Sequence, residues 1–372
     1  MMRRHDRYIL RSFVAALVAT ILFLSSLVVI YDVADRLDKL PKVARAVTRD
    51  GGNGLAVVFE YYLTLLPFLW MRSMPLAVLI AAGATFTWLG RQNELVPLVA
   101  SGVPTRRVLR PVFFAAIVLA LLQTVARETV VPELSRRHDD LHRLFRDQGR
   151  ADRLQEVPHI QDTGGGRLSM AAYFPRERRM ESAWITFRRA PDADGHDVLL
   201  GYPVLTWDAG RSAWVAERGG QRRVLRERET GADAQRVAPG EVAPLEVSPS
   251  LLDLSLRKQA ALGLSSAEIA QLAKASPDRV RLTLLLHQQW SQPLATVILL
   301  LLGMPFFFHL GRRGLLHRSF GWILALVGAY YVTDGIVSDM GSRGALNPIV
   351  AAWGSHVVFG ALGIALMSGV ET

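Results

Sequence analysis

Apolar residues in this chain fall in long uncharged runs and not at the spacing of a surface helix or strand. The runs are Ser12 to Tyr31, Ser73 to Gly90, Pro111 to Ala126, Gln288 to Phe308, Ser319 to Thr333 and Ala345 to Val370. Each is close to the roughly 20 residues that carry a helix across a bilayer. The pattern predicts an α-helical membrane protein with six spans, three before and three after a polar stretch from about Arg127 to His287. Inside that stretch the pattern changes. Leu168 to Phe174, Ala183 to Arg189, Val198 to Trp207, Ala213 to Glu217 and Arg222 to Arg226 are short segments, several rich in aromatic and branched residues. Gly164-Gly165-Gly166, Pro191 to Gly195, Asp208-Ala209-Gly210 and Gly219-Gly220 separate them as turn signals at hairpin spacing. An all-β domain over about 150–255 follows. Trp207 and Trp214, flanking one turn, either pack across strands or simply fill the core.

Helix punctuation adds smaller elements. Ser265 with Glu268 three residues later is a capping-box pattern opening a helix over Ala267 to Ala275, and Ser276-Pro277 supplies an N-cap and first-turn proline for a helix running into span four. Leu55 to Met71, with Glu60 and Arg72 near its ends, reads as an amphipathic element before span two, lying at the outer interface or packed inside. Asn93 to Thr105 is polar at its start, apolar at its centre and punctuated at both ends. It is too short to span and too apolar to float free, so it is expected to dock onto another protein.

Charge sets the orientation. Arg3, Arg4, Arg7 and Arg11 precede span one, Arg91, Arg106, Arg107 and Arg110 separate spans two and three, and Arg312, Arg313 and Arg318 separate spans four and five. The opposite short connections carry balanced charge. By the positive-inside rule both termini and the Asn93 segment are cytoplasmic, and the β domain lies outside. The first run is too long for a signal-peptide core and lacks a small-residue cleavage site, so it reads as a retained anchor. Net charge is +10, yet Lys39, Lys42, Lys258 and Lys274 are the only lysines. No basic stripe with interleaved aromatics forms a nucleic-acid face. The chain has no cysteine, hence neither disulfide nor thiolate-metal chemistry.

Catalytic motifs are missing. No phosphate-binding loop occurs, since none of the lysines follows a glycine as that motif requires, and no nucleophile elbow, His-Glu-x-x-His or clustered metal pattern is present. The chain is expected to bind no cofactor or metal itself and to act as a non-catalytic subunit. Asp334, His287 and His356 are ionisable groups in or beside spans. Asp334 reads as a structural pair more readily than as a proton relay, having no second carboxylate or lysine nearby. Pro67, Pro75, Pro293 and Pro305 permit kinks.

Asp6-Arg7-Tyr8-Ile9 before span one, Asn93-Glu94-Leu95 through Ala100-Ser101-Gly102 after span two, and Trp290 to Pro305 in span four give this layout a resemblance to the LptF/LptG (YjgP/YjgQ) permease family over essentially the whole chain. Asp6 to Ile9 and the acidic Asp32, Asp35 and Asp38 lean toward the LptG type. The resemblance implies a permease subunit of an ABC transporter that extracts lipopolysaccharide from the outer leaflet of the bacterial inner membrane. It implies a second LptF/LptG-type permease, an LptB-like cytoplasmic ATPase dimer holding the ATP and Mg, and periplasmic LptC/LptA-like β-jellyroll proteins that take the lipid from a β-jellyroll-like domain. The expected division is 1–126 for spans one to three, 127–276 for the periplasmic segment and 277–372 for spans four to six. The Asn93 segment becomes a coupling helix at about 93–103. Asn93 caps it, Glu94 complements its dipole, Leu95, Leu98 and Val99 form the docking stripe, and Gly102 ends it. Pro97 departs from the family pattern and shifts or bends the helix start. For an acylated, phosphorylated lipid, Lys39, Lys42, Arg45, Arg72, Arg279 and Arg281 are the cations placed near the outer rim. A mechanotransmission or secondary transporter subunit, or a membrane-anchored periplasmic scaffold, is the alternative.

Overall fold

The computed structural model describes residues 4–38, 40–49, 52–92, 94, 105–146, 154–161, 166–175, 177–188, 197–225, 234–257, 263–275, 279–307 and 316–369. In chain order the elements are α1 (Arg4–Asp35), α2 (Leu40–Arg49), α3 (Gly54–Arg91), α4 (Thr105–Thr129), α5 (Val131–Arg146), β1 (Leu154–Gln161), β2 (Arg167–Phe174), β3 (Arg179–Phe187), β4 (Asp197–Asp208), β5 (Ala213–Ala216), β6 (Gly220–Leu225), β7 (Ala234–Val237), α6 (Pro249–Arg257), α7 (Ser266–Ala275), α8 (Arg279–Ser291), α9 (Leu294–Phe307), α10 (Leu316–Ser342) and α11 (Pro348–Ser368). They fall into two compact units, Met1–His138 with Thr283–Thr372, and Asp139–Leu282.

In the first unit five helices are long and apolar enough to cross a membrane, and the pair α8 and α9, bent by 55°, makes a sixth if counted as one span. The bend sits at Gln292-Pro293. A proline lacks the N–H that would continue the ladder and disfavours helix at the residue before it. The Arg127 guanidinium on α4 holds the elbow, donating to Gln292 Oε1 at 2.9 Å. The bundle core joins Phe13 of α1, Phe86 of α3, Val112 of α4, Leu299 and Phe307 of α9, Tyr330 of α10 and Phe359 of α11.

The amphipathic element expected as a separate helix before span two is instead the first half of α3, continuous over 38 residues. At about 1.5 Å per residue that is about 57 Å, well beyond a ~30 Å hydrocarbon core. Its polar half is held outside the apolar run: Glu60 pairs with Arg137 of α5, and Tyr62 donates to Asp32 Oδ2 of α1 at 3.2 Å. Pro75 leaves the Met71 carbonyl without its helical donor, and Gln123 of α4 supplies one, Nε2 to oxygen at 2.7 Å. The helix therefore passes through the proline unbroken. α2 lies so close to the start of α3 that a Cβ on Gly54 would stand 2.1 Å from the Ala44 carbonyl oxygen.

The second unit is built on an antiparallel sheet in the order β1-β2-β3-β4-β6-β7, with β5 pairing β4. β2 to β6 occupy the segments expected as strands. Trp207 and Trp214 are direct cross-strand partners, their rings edge to face at 5.3 Å. Both readings of these tryptophans hold, because Trp214 is also fully buried in the sheet's core beside Leu168, Met180 and Leu205. Its indole donates to the Val247 carbonyl at 2.6 Å. Asp208 Oδ1 closes the expected turn by accepting from the Gly210 N–H at 2.8 Å. The capping box forms as read: Ser265 N–H donates to Glu268 Oε2 at 2.9 Å and Glu268 N–H to Ser265 Oγ at 3.2 Å. The turns expected at 164–165 and 191–195, the Ser276-Pro277 cap and the loop of Arg312 and Arg313 lie outside the described residues.

Candidate functional site

α1, α3 and α10 leave a groove of about 380 Å³ between them. Leu24, Leu27 and Val28 of α1 and Leu69 and Leu76 of α3 make its wall apolar. Ser25 and Ser73 also line it, each already hydrogen-bonded: Trp70 Nε1 donates to Ser25 Oγ at 3.0 Å, tying α1 to α3, and Ser73 Oγ bonds its own helix at Leu69 O, 2.7 Å. Tyr331 of α10 closes one side, and the exposed guanidinium of Arg72 also lines the groove. A fixed cation beside an apolar wall is costly in hydrocarbon and calls for an anion or water. The surroundings of the groove are largely uncovered. On α1, Leu22, Phe23, Leu27 and Ile30 are exposed, as are Phe320, Leu324, Val332 and Ile336 on α10. Apolar surface of that extent needs lipid or a second apolar helix against it.

Of the five described rim cations, Arg72 is the one that lines the groove. Lys42 and Arg45 are exposed on α2, where Arg45 Nε donates to the Pro41 carbonyl at 3.1 Å. Arg279 and Arg281 are exposed in the first turn of α8, in the part of that helix belonging to the second unit. Lys39 lies outside the described residues.

Of the coupling helix expected at about 93–103, one residue is described, Glu94. Asn93, Leu95, Pro97, Leu98, Val99 and Gly102 lie outside the described residues. The Glu94 N–H donates to the Leu89 carbonyl at 3.1 Å, carrying a turn beyond α3. Its carboxylate accepts from the Tyr8 hydroxyl of α1 at 3.4 Å. The Gln92 amide bridges Glu94 and Trp88, donating to Glu94 Oε1 and accepting from Trp88 Nε1, each at 3.2 Å. Two sequence motifs 86 residues apart thus meet, and the entry to the docking segment is tied to the start of α1.

Asp334 and His356, singled out in the sequence, belong to one polar network, and a second at the end of α1 went unread. Ser355 of α11 donates to Asp334 Oδ1 of α10 at 2.6 Å, lies 3.2 Å from His356 Nδ1, and His356 Nε2 lies 3.2 Å from the buried Tyr330 hydroxyl. Asp334 therefore joins α10 to α11. At the end of α1, Asp32 binds Arg36 at 2.9 Å as well as Tyr62. Arg36 stands over the Tyr61 ring, which stacks on His138, and His138 Nδ1 lies 3.1 Å from Thr64 Oγ1. Burial opposes the charge on Arg36, but the Asp32 bond and the neighbouring tyrosines outweigh it and raise its pKa. Among the described residues no cluster of His, Asp or Glu is arranged to hold a metal ion.

No curated protein sequence matches the chain. The family model described as lipopolysaccharide export system permease LptF/LptG matches residues 7–368, nearly the whole length. With its several membrane-crossing helices and a central antiparallel sheet, the chain belongs to the LptF/LptG family of lipopolysaccharide export permeases.

Proposed function

We propose that the chain is the permease subunit that draws lipopolysaccharide from the outer leaflet of the inner membrane through the groove between α1, α3 and α10, driven by a separate ATPase. The observation that carries this reading is the pairing of an apolar wall with Arg72 beside uncovered faces of α1 and α10. Acyl chains suit the wall, and a lipid phosphate suits the guanidinium, which recognises such oxyanions in a bidentate manner. A second permease of the same family closes the uncovered faces, and α8 with α9 counts as one broken span, making six. Both termini are cytoplasmic. The Asn93 to Thr105 segment is the coupling helix for an LptB-like ATPase dimer, and the Tyr8–Glu94 bond passes its movement to α1. The sheet, as a β-jellyroll, hands lipid to an LptC/LptA-like bridge. Lys42, Arg45, Arg279, Arg281 and Lys39 then act as general attraction for the anionic headgroup.

The test is co-purification and transport together. Glu94→Lys and Gly102→Leu are expected to insert normally but to lose the ATPase, and Arg72→Glu to keep the ATPase and lose ATP-dependent lipid release from proteoliposomes. Full ATPase recovery by both docking variants, or full transport by Arg72→Glu, contradicts the reading. The Asp334 to Tyr330 chain suits a proton-coupled transporter less well, since it offers one carboxylate and ends on a buried hydroxyl.

A further inference from the structure

The sheet carries a second cavity, of about 780 Å³, within the roughly 300–1,000 Å³ typical of small-molecule sites. It lies on the face turned away from the core. Alternation along the strands sends Ala183, Ile185, Leu200 and Tyr202 to the core and their neighbours Trp184 and Gly201 to the opposite side.

Its floor is one row of residues in register across four strands: Trp184 opposite Gly201, Gly201 opposite Gln221, and Gln221 opposite Arg236. Each contributes something different. Trp184 is 40% exposed, unusual for so large an apolar group. Its ring lies over Gly201, where a Cβ would stand 2.6 Å from Cζ3, so the missing side chain lets the indole lie across the strand. Gln221 offers an amide donor and acceptor, and Arg236 and Arg218 offer guanidinium groups. Among the described residues no carboxylate lines the cavity. Pro203, in the middle of β4, cannot donate to the ladder, and Ser182 stands beside it with φ at 50°. Proline in a central strand belongs to such an irregularity, and here it opens the wall next to Trp184.

We infer that this cavity binds an anionic saccharide, the sugar ring stacking on Trp184 and its phosphate or carboxylate meeting Arg236 and Arg218. The apolar C–H face of a pyranose suits an exposed indole, its hydroxyls suit the Gln221 amide, and its charge suits two arginines with no acid among them. A free inorganic anion leaves the indole unused, and a neutral sugar leaves the arginines unused. The inference deepens the lipid-export reading and rests on it for the natural source of the ligand, the phosphorylated headgroup of the glycolipid.

The experiment uses the full chain in nanodiscs without ATPase, with binding read by saturation-transfer NMR against glucose 1-phosphate, glucose, inorganic phosphate and adenosine monophosphate. Glucose 1-phosphate is expected to bind at least about tenfold tighter than glucose or phosphate, the factor that one charge-assisted hydrogen bond supplies. Trp184→Ala and Arg236→Gln are expected to weaken it by a similar factor. Gly201→Val, which keeps the indole but displaces it, should weaken it as well. Arg211→Gln, an exposed arginine of the same sheet paired with Asp208 at 3.6 Å, should leave it unchanged. Equal binding of phosphate alone, tighter binding of the nucleotide, or retained affinity in Trp184→Ala and Arg236→Gln overturns the inference. Because no transport step enters the readout, full transport by Arg72→Glu with saccharide binding intact would defeat the export reading alone.

Discussion

The bond from Gln123 to the Met71 carbonyl offers the sharpest test of how the bundle is held. Pro75 removes the N–H that would otherwise serve that carbonyl, and the Gln123 amide replaces it at 2.7 Å. Gln123 is 5% exposed, and its Oε1 meets no described partner. Gln123→Leu therefore removes one bond while also relieving one buried acceptor, so the single variant's cost mixes two opposing effects. A double-mutant cycle separates them. In Pro75→Ala the restored N–H at position 75 satisfies Met71, and Gln123 becomes redundant there. Relief of the orphaned Oε1 and of the proline ring's crowding enters both legs and cancels. The coupling left over is the replacement bond itself, about 0.6–1.7 kcal/mol for a side-chain hydrogen bond within a membrane. Steric-trapping or SDS-unfolding measurements on the four proteins read it directly. Additive costs, to within about 0.3 kcal/mol, would refute the claim that Gln123 acts by repairing the break at Pro75.

Other outcomes follow from single contacts. A Cβ on Gly341 would stand 2.4 Å from the Cβ of Ala351, which cannot rotate away, so Gly341→Ala should separate α10 from α11 at a cost of about 1–3 kcal/mol, seen as a lower thermal midpoint in detergent. Trp214→Phe keeps the ring but strands the buried Val247 carbonyl, and about 1–3 kcal/mol should be lost from the sheet unit in denaturant titration. Glu268→Ala should cost about 1 kcal/mol and speed amide exchange in the first turn of α7. Burial, reinforced by Glu241 and opposed by Arg222, pushes the Tyr202 hydroxyl up to about 12. A raised phenol pKa contributes stability that is full below the ordinary value near 10 and is lost as pH rises through the folded value. Stability should therefore fall between about pH 10 and 12, and Tyr202→Phe should flatten that fall.

The strands were legible where branched and aromatic residues ended on Gly or Asp turns, as in β2 to β6. β1 was not, because Pro158 sits in a polar sequence and the register slips between Val157 and Ile160, the irregularity expected of proline at a sheet edge. β7 is only four residues long. The helical runs were legible from the absence of charge, but their limits were not. Arg72 looked like an end and proved internal to α3, and of the prolines expected to permit kinks Pro293 sits at a bend of 55° while Pro75 lies inside a continuous helix. What decided both cases was a partner on α4, Gln123 or Arg127. Charge position told which cations stand near a span's end, yet only the packing of α1, α3 and α10 distinguishes Arg72 from Lys42 and Arg45, since topology locates ends and not faces.

The central claim, that lipopolysaccharide enters between α1, α3 and α10, is tested most directly by photocrosslinking from inside the groove. A photoreactive residue replacing Leu27, a lining position, is compared with one replacing Val357, which is 65% exposed on α11. In the assembled transporter, lipopolysaccharide adducts at Leu27 should exceed those at Val357 and decline when ATP is added. Equal adducts at both positions, unchanged by ATP, would contradict the account.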